Sequence, residues 1–231
     1  MKSTISDHIN QSSNWGEFQP VLQHFIKNKL QGINGGSYLV DYGLKNECLK
    51  TIEKGWQIVH RNQNDIIRCT TAMMLFDRQS ERHNERTYFD EIIREALADF
   101  DRRLPNNTLR ADRDLILEPI LCDADVSSLQ TCLLNILRFL DSLESHSGGG
   151  LQVKVTAGNQ VLRCQLRSPR KMVEIDDSGK VQATDLSPDL KNVLTVEWLA
   201  AKKVLAGHLG KIAFSHNAGV AEFTLELPCP A

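Results

Sequence analysis

The chain has no marked excess of charge of either sign. In 231 residues, 27 Lys and Arg stand against 29 Asp and Glu, giving a formal net charge of -2. That leaves no ground for binding nucleic acid or a membrane surface, and the longest basic cluster, residues 167–171, is short. No apolar run approaches the roughly 20 residues that a spanning helix needs. Met1-Lys2-Ser3-Thr4-Ile5-Ser6-Asp7 lacks the apolar core of a signal peptide, so a cytoplasmic protein is the expectation. Cysteine motifs are missing too. Cys48, Cys69, Cys122, Cys132, Cys164 and Cys229 form no CxxC pair and no Cys/His spacing suited to zinc. Buried reduced thiols are expected, rather than a disulfide framework, a redox site or a metal centre.

What is present is ordinary globular composition, 41% hydrophobic and 24% charged, with room for one large domain or two modest ones. Residues 1–16 are polar and unperiodic and read as a flexible lead-in. From Glu17 onward Phe18, Leu22, Phe25 or Ile26, Leu30 and Ile33 make one helical stripe. Val21, His24, Asn28 and Gln31 fall on a neighbouring face. Gly32, Gly35 and Gly36 interrupt the pattern, where another helix can approach closely or the chain can bend. Residues 43–46 read as a turn. A second helix over 47–80 carries a heptad seam of Ile52, Trp56, Val59, Gln63, Ile66, Thr70 and Met73. Residues 17–82 are thus an antiparallel helical hairpin, and pairing two copies into a four-helix bundle would bury its apolar surface. Trp56 and Trp198 are expected in the core.

The charged segment 79–86 marks a boundary, and 83–231 form the second domain. A helix is expected over 90–100, short strands over 109–111 and 119–123, and a strongly apolar helix over 126–143 capped by Asp125 or Asp123. Strands over 151–155 and 161–166 flank Ala157-Gly158-Asn159. A helix over 187–206 follows, and a hairpin of 211–215 with 221–227 closes the chain. The fold class is α+β: a helical hairpin, then a two-layer sandwich.

Several segments, in this order, carry a resemblance. His24-Phe25-Ile26-Lys27-Asn28-Lys29-Leu30 is similar to the H-box of two-component sensor histidine kinases, in which His is followed by an acid, an aliphatic, a base, Asn or Thr, Pro and Leu. Residues 55–62 fall where those proteins have their second bundle helix, and 123–137 resemble the lead into their N-box. Residues 207–212 and 221–228 resemble their closing His-Gly-Gly turn and last strand. The resemblance spans residues 18–228. It implies a homodimeric phosphoacceptor hairpin joined to a Bergerat-type ATPase-like domain, with His24 as the reactive residue. Asn28 is the amide that in such proteins is associated with positioning water.

The departures fall on the nucleotide site. Phe139 stands where the N-box supplies its magnesium-binding Asn, and a phenyl ring offers a hard cation no oxygen. Residues 167–171 replace the first glycine box with its adenine-reading carboxylate. Residues 190–196 hold no glycine where the second box lets backbone approach phosphate. Phe25 replaces the acid after the histidine. The resemblance is therefore to the degenerate histidine phosphotransferases. It implies exchange of phosphoryl groups between His24 and a response-regulator aspartate, without ATP-dependent autophosphorylation and with no cofactor of this chain's own. The receiver domain, bringing Mg²⁺, is the expected partner. Phe25, Ile26, Lys27 and Gln31 are its expected docking residues, Phe25 and Ile26 as an exposed apolar surround. Two alternatives are a non-catalytic pseudokinase that scaffolds a regulator or kinase, and an active kinase with a divergent pocket. His60, His208 and His216 are expected on the surface or in packing.

Overall fold

Period-3.6 patterning dominates the first third of the chain, and two helices form there: α1, Thr4–Lys45, and α2, Leu49–Asp77. The computed structural model describes residues 4–77, 83–104, 107–110, 112–143, 150–170, 172–176, 179–183 and 186–229, with 4–21 and 75–77 by backbone alone. The Phe18 side chain, Ala111, Lys171 and the stretches 78–82 and 144–149 lie outside the described residues. α1 takes in residues 4–16 as well, where a loose lead-in was expected. Periodicity reports a buried face rather than helix as such, so a polar helical extension gives no signal.

The helices meet at bare backbone. A Cβ added to Gly36 would lie 2.9 Å from the Gly55 carbonyl oxygen, and one on Gly55 would lie 2.7 Å from that of Gly36. Gly43, expected in the turn, lies instead in the last turn of α1, where a Cβ would come within 2.7 Å of Ile52. The reversal is made by Asn46, Glu47 (φ 51°) and Cys48. The Cys48 sulfur accepts a hydrogen bond from the Thr51 hydroxyl at 3.1 Å at the start of α2. Leu30 and Trp56 are each 50% exposed in the single chain. Helical periodicity puts both in a seam or core, and Trp56 instead packs on His60, ring centroids 5.6 Å apart.

The chain divides into two compact units, Met1–Thr70 and Thr71–Ala231, a boundary inside α2 and earlier than residue 82. The second unit contains β1 (Glu85–Tyr88), α3 (Phe89–Arg103), β2 (Asp114–Leu117), β3 (Leu121–Ala124) and α4 (Val126–Ser142). Then come β4 (Gln152–Gly158), β5 (Val161–Pro169), β6 (Glu174–Ile175), β7 (Val181–Gln182), α5 (Pro188–Gly207), β8 (Lys211–Asn217) and β9 (Val220–Pro228). The main sheet has the order β2-β4-β5-β9-β8, parallel between β2 and β4 and antiparallel elsewhere. β1 pairs with β3 and β6 with β7 as separate two-stranded ribbons.

Alternation sorts the sheet's two faces. Leu162, Cys164 and Leu166 of β5 and Phe223, Leu225 and Leu227 of β9 are buried. The intervening residues carry cross-strand ion pairs, Arg163–Glu226 at 2.6 Å and Arg167–Glu222 at 3.0 Å. α4 is buried along nearly its whole length and packs against both α3 and α5. Its cap is Asp125, whose carboxylate accepts the Ser128 N–H at 3.0 Å. α5 starts in the same manner, from Ser187 with Pro188 at its first position.

Residues 109–111 form no strand at the described positions 109 and 110. Leu109 is fully buried in a turn, held by the Arg113 Nε–H donating to its carbonyl at 2.9 Å. The same guanidinium grips Asp101 through two hydrogen bonds of 2.8 and 2.6 Å. Burial opposes the charged Asp101 carboxylate, yet the bonds from Arg113 and Asn107 outweigh it and hold its pKa below the usual value.

The end of α5 shows where the chain departs from the glycine expected in its closing turn. The Gly210 N–H donates to the Leu205 carbonyl at 2.8 Å and the Leu209 N–H to that of Ala206 at 3.1 Å. This two-bond closure places Leu209 in the left-handed region, φ 57°, with its side chain 85% exposed. An L side chain there costs about 1 kcal/mol and in this case buries almost nothing. Leu209→Gly is therefore expected to raise the melting temperature by about 2–4 °C; an unchanged or lower value in a thermal melt would show that the Leu209 side chain has a packing role.

Candidate functional site

On α1 the histidine segment splits its neighbours between inside and outside. Leu22 and Phe25 are 2% and 1% exposed, whereas Gln23, His24, Lys27 and Gln31 are exposed and Ile26 and Asn28 half-buried. Phe25 is therefore corrected from an exposed docking residue to a seam residue. The three-residue spacing from Leu22 carries it onto the same buried face. His24, about 100° round the helix, faces solvent, with Lys27 and Asn28 one turn on.

What holds this face is polar. Lys29, where the resembling H-box has proline, is 9% exposed; its Nζ lies 2.9 Å from Asp65 Oδ2 of α2 and 5.2 Å from the centroid of the Phe25 ring. One turn on, Asn62 is buried against Gly32, where an added Cβ would fall 2.7 Å from its amide. Asn62 also donates to the Ile58 carbonyl at 2.8 Å. A buried cation, a carboxylate and an amide fix helix register more sharply than apolar residues, which slide. The sequence signal for this layer was the pair of polar breaks, Asn62 and Asp65, beside the heptad seam.

In the second unit the three positions of the resembling nucleotide site are occupied as follows. Phe139 is 1% exposed and packs edge-on against Phe223, centroids 5.2 Å apart, with Phe214 at 5.8 Å. Trp198 adds a further ring, 6.0 Å from Phe223. A phenyl ring at this position offers a magnesium ion no oxygen, so Phe139 itself does not fit as a metal ligand. Asn135, one turn earlier on α4, is 1% exposed and its amide has no hydrogen-bond partner.

At the first glycine-box position Arg167 is paired with Glu222, and the Ser168 hydroxyl donates to the Gly150 carbonyl at 3.0 Å. Arg170 is buried. At the second, α5 is already regular helix. Its Thr195 hydroxyl donates to the Lys191 carbonyl at 2.7 Å and accepts the Val181 N–H at 3.0 Å. That bond seats the β6–β7 ribbon on α5. Gly179 (φ 86°) lies so close that a Cβ would meet Leu199 at 2.8 Å. Sequence reading did not find this ribbon, although Val173-Glu174-Ile175 and Lys180-Val181-Gln182 alternate around Asp176 and Gly179.

The remaining candidates are structural. His208 is buried; its Nδ1 lies 2.8 Å from the Val204 carbonyl oxygen and its Nε2 3.1 Å from the Asp125 nitrogen. The ring therefore donates from Nδ1 and accepts the Asp125 N–H, tying the end of α5 to the start of α4. Burial pushes the Cys122 thiol up to about 11 and the Cys132 thiol to about 12, so neither is a nucleophile. Among the described residues no group of three His, Cys, Asp or Glu could hold a metal, and no helix is long and apolar enough to cross a membrane.

No family model and no curated protein matches the chain. Solved structures do. Histidine kinase AdeS of Acinetobacter baumannii superposes with a TM-score of 0.59 at 16% identity, over 90% of this chain and 98% of that one. Histidine kinase ThkA, in complex with response regulator TrrA, gives 0.67 at 14% identity, over 96% of this chain and 64% of that one. Full-length ShkA, in complex with AMPPNP, gives 0.52 at 13% identity, over 94% of this chain and 46% of that one. The chain has the fold of a histidine kinase core, a helical hairpin followed by the α/β sandwich.

The aromatic cluster is the part of that sandwich on which substitution is expected to tell most. Phe139→Ala should destabilise the protein by about 3–5 kcal/mol, seen as an early denaturant midpoint. A loss below about 1 kcal/mol would show that the ring does not carry the core.

Proposed function

We propose that this protein is a histidine phosphotransferase-like component of a two-component phosphorelay. It exchanges phosphoryl groups between His24 and an aspartate of a response-regulator receiver domain, and does not draw them from ATP. The observation that carries this reading is the split on α1: Phe25 is 1% exposed and anchored beneath Lys29, which leaves His24 on a rigid, solvent-facing helix surface. That ThkA, of the same fold, is found in complex with a response regulator supports a receiver as partner.

In the transfer a neutral His24 ring nitrogen uses its lone pair to form the N–P bond as the P–O bond to the receiver's aspartate breaks. The carboxylate leaves with the bonding electrons, and the proton on the other ring nitrogen passes to solvent. The receiver supplies Mg²⁺ and the acidic pocket. This chain supplies position, with Lys27 as a nearby cation and Ile26 and Gln31 as docking surface. In this reading Asn28, four residues on, orients a water for hydrolysis of the phosphoreceiver. The bulky residues at the three nucleotide positions support a chain that no longer takes phosphate from ATP.

The test is incubation with a phosphorylated receiver domain. Acid-labile label is expected on this chain and is lost in His24→Ala, whose stability changes by less than about 0.5 kcal/mol because the ring is exposed. Stable association without label would leave the scaffold reading, and label persisting in His24→Ala would sink the assignment.

The exposed apolar residues of the hairpin, Leu30, Tyr38, Tyr42, Trp56, Ile67 and Met74, support pairing of two copies. Sedimentation equilibrium at micromolar concentration is expected to give a dimer for the wild type and a monomer for Trp56→Glu. A wild-type monomer would count against it.

A further inference from the structure

The groups that orient His24 lie more than a turn away from it. Five residues of α-helix carry the chain about 140° round the axis and about 7.5 Å along it. Lys29 therefore points inward where His24 points outward, and the one is 9% exposed while the other faces solvent. The Lys29 Nζ lies 2.9 Å from Asp65 Oδ2 of α2, and 5.2 Å from the ring centroid of Phe25, the neighbour of His24 in the chain. At Gly32, three residues further along α1, an added Cβ would fall 2.7 Å from the Asn62 amide. Asn62 stands three residues before Asp65, on the same side of α2. Lys29, Gly32, Asn62 and Asp65 thus form one polar layer between the helices, one to two turns beyond the histidine.

Stability alone is a poor reason for such a layer. Taking two charges out of water offsets much of their attraction, and an apolar pair of similar volume commonly holds two helices as firmly. The layer differs from the seam in direction. Leu22, Phe25, Cys69 and Ala72 are buried apolar residues, and their attraction has no preferred angle. An ion pair beside an amide seated on bare backbone closes in one register. A slip of one residue would move α1 by about 1.5 Å and turn it by about 100°. Displacing a reacting atom by even about 1 Å costs on the order of a hundredfold in rate.

We propose that Lys29 and Asp65 are positioning residues for phosphoryl transfer at His24. Their ion pair, backed by Asn62 on Gly32, fixes the rotation and height of α1, so that the ring nitrogen meets the receiver's phosphoryl group in line. The inference rests on the assignment of transfer to His24. Neither residue touches the phosphoryl group, and both act on the rate of the step more than on docking. Contacts spread over Ile26, Lys27 and Gln31 tolerate a small shift of the helix, and in-line attack does not.

The experiment uses the full chain carrying Lys29→Met together with Asp65→Leu, which removes both charges and leaves apolar bulk. This apolar pair is expected to melt at or above the wild type. In single-turnover transfer from a phosphorylated receiver, its rate constant at saturating receiver is expected to fall at least about tenfold, with the half-saturating concentration changed by less than about threefold. A rate within about threefold of the wild type would overturn the proposal, since the ion pair would then serve packing alone. So would a raised half-saturating concentration at an unchanged rate, which would make the pair part of docking. Should the apolar pair melt below the wild type, Lys29→Arg and Lys29→Met are compared at a temperature where both are folded. A rate kept in the first and lost in the second supports the pairing, and equal rates remove it. If the wild type itself takes no label, the transfer assignment fails and the positioning is read separately. The readout is then carbethoxylation of His24 by diethyl pyrocarbonate, followed on its peptide by mass. Slower modification in the apolar pair supports the fixed outward ring, and an unchanged rate overturns it.

Discussion

The ammonium of Lys29, buried between the Phe25 ring and the Asp65 carboxylate, is the contact on which the reactive face depends. A lysine is rarely buried, because its charge must be matched where water is excluded. Here the match comes from α2, so the ion pair forms only when the two helices stand in one register. Once Lys29 is inside, Phe25, a turn earlier, is inside with it, and His24 has no option but the outer surface. Proline at this position, as in the resembling H-box, would terminate or bend the local hydrogen-bond ladder. Lysine leaves α1 continuous from Thr4 to Lys45 and replaces a backbone device with a side-chain one.

The second unit shows the opposite trade between chemistry and packing. A metal and nucleotide site needs open oxygen donors and backbone that a phosphate can reach, and both features weaken a core. At these positions the chain has a phenyl ring in an aromatic cluster, a regular helical turn bearing Thr195, and a ribbon seated on that threonine. Each of these groups makes buried contact. The Asn135 amide, within α4, has no hydrogen-bond partner, and a buried amide with both ends unsatisfied is destabilising.

Most of the helical framework was legible in the sequence. α3, α4 and α5 each carry an apolar period of 3.6 over several turns, and α4 and α5 carry capping residues, Asp125 and Ser187, that a reader can see. The β4–β5 and β8–β9 hairpins were legible through alternation and turn residues. β2 was not, because Asp114–Leu117 pairs in parallel with a strand far along the chain and lies at an edge, where neither alternation nor a turn marks it. β6 and β7 are two residues each and exist through their seat on Thr195, a tertiary fact. At the histidine, periodicity offered Phe25 or Ile26 as the buried residue and could not choose. The choice is made by Lys29 and Asp65, nearly forty positions apart.

Lys29 and Arg170, two of the buried cations among the described residues, are matched in different ways. Lys29 has its carboxylate at 2.9 Å, and its energetics close within the hairpin: the pair sets register and the face it presents. Arg170 has the better donor array of the two and no acceptor. An arginine cannot escape by releasing its proton as a lysine can. Lys29 is a brace because its carboxylate comes from a second helix. Arg170 is a cost to the fold, because burial of a guanidinium without acceptors is unfavourable.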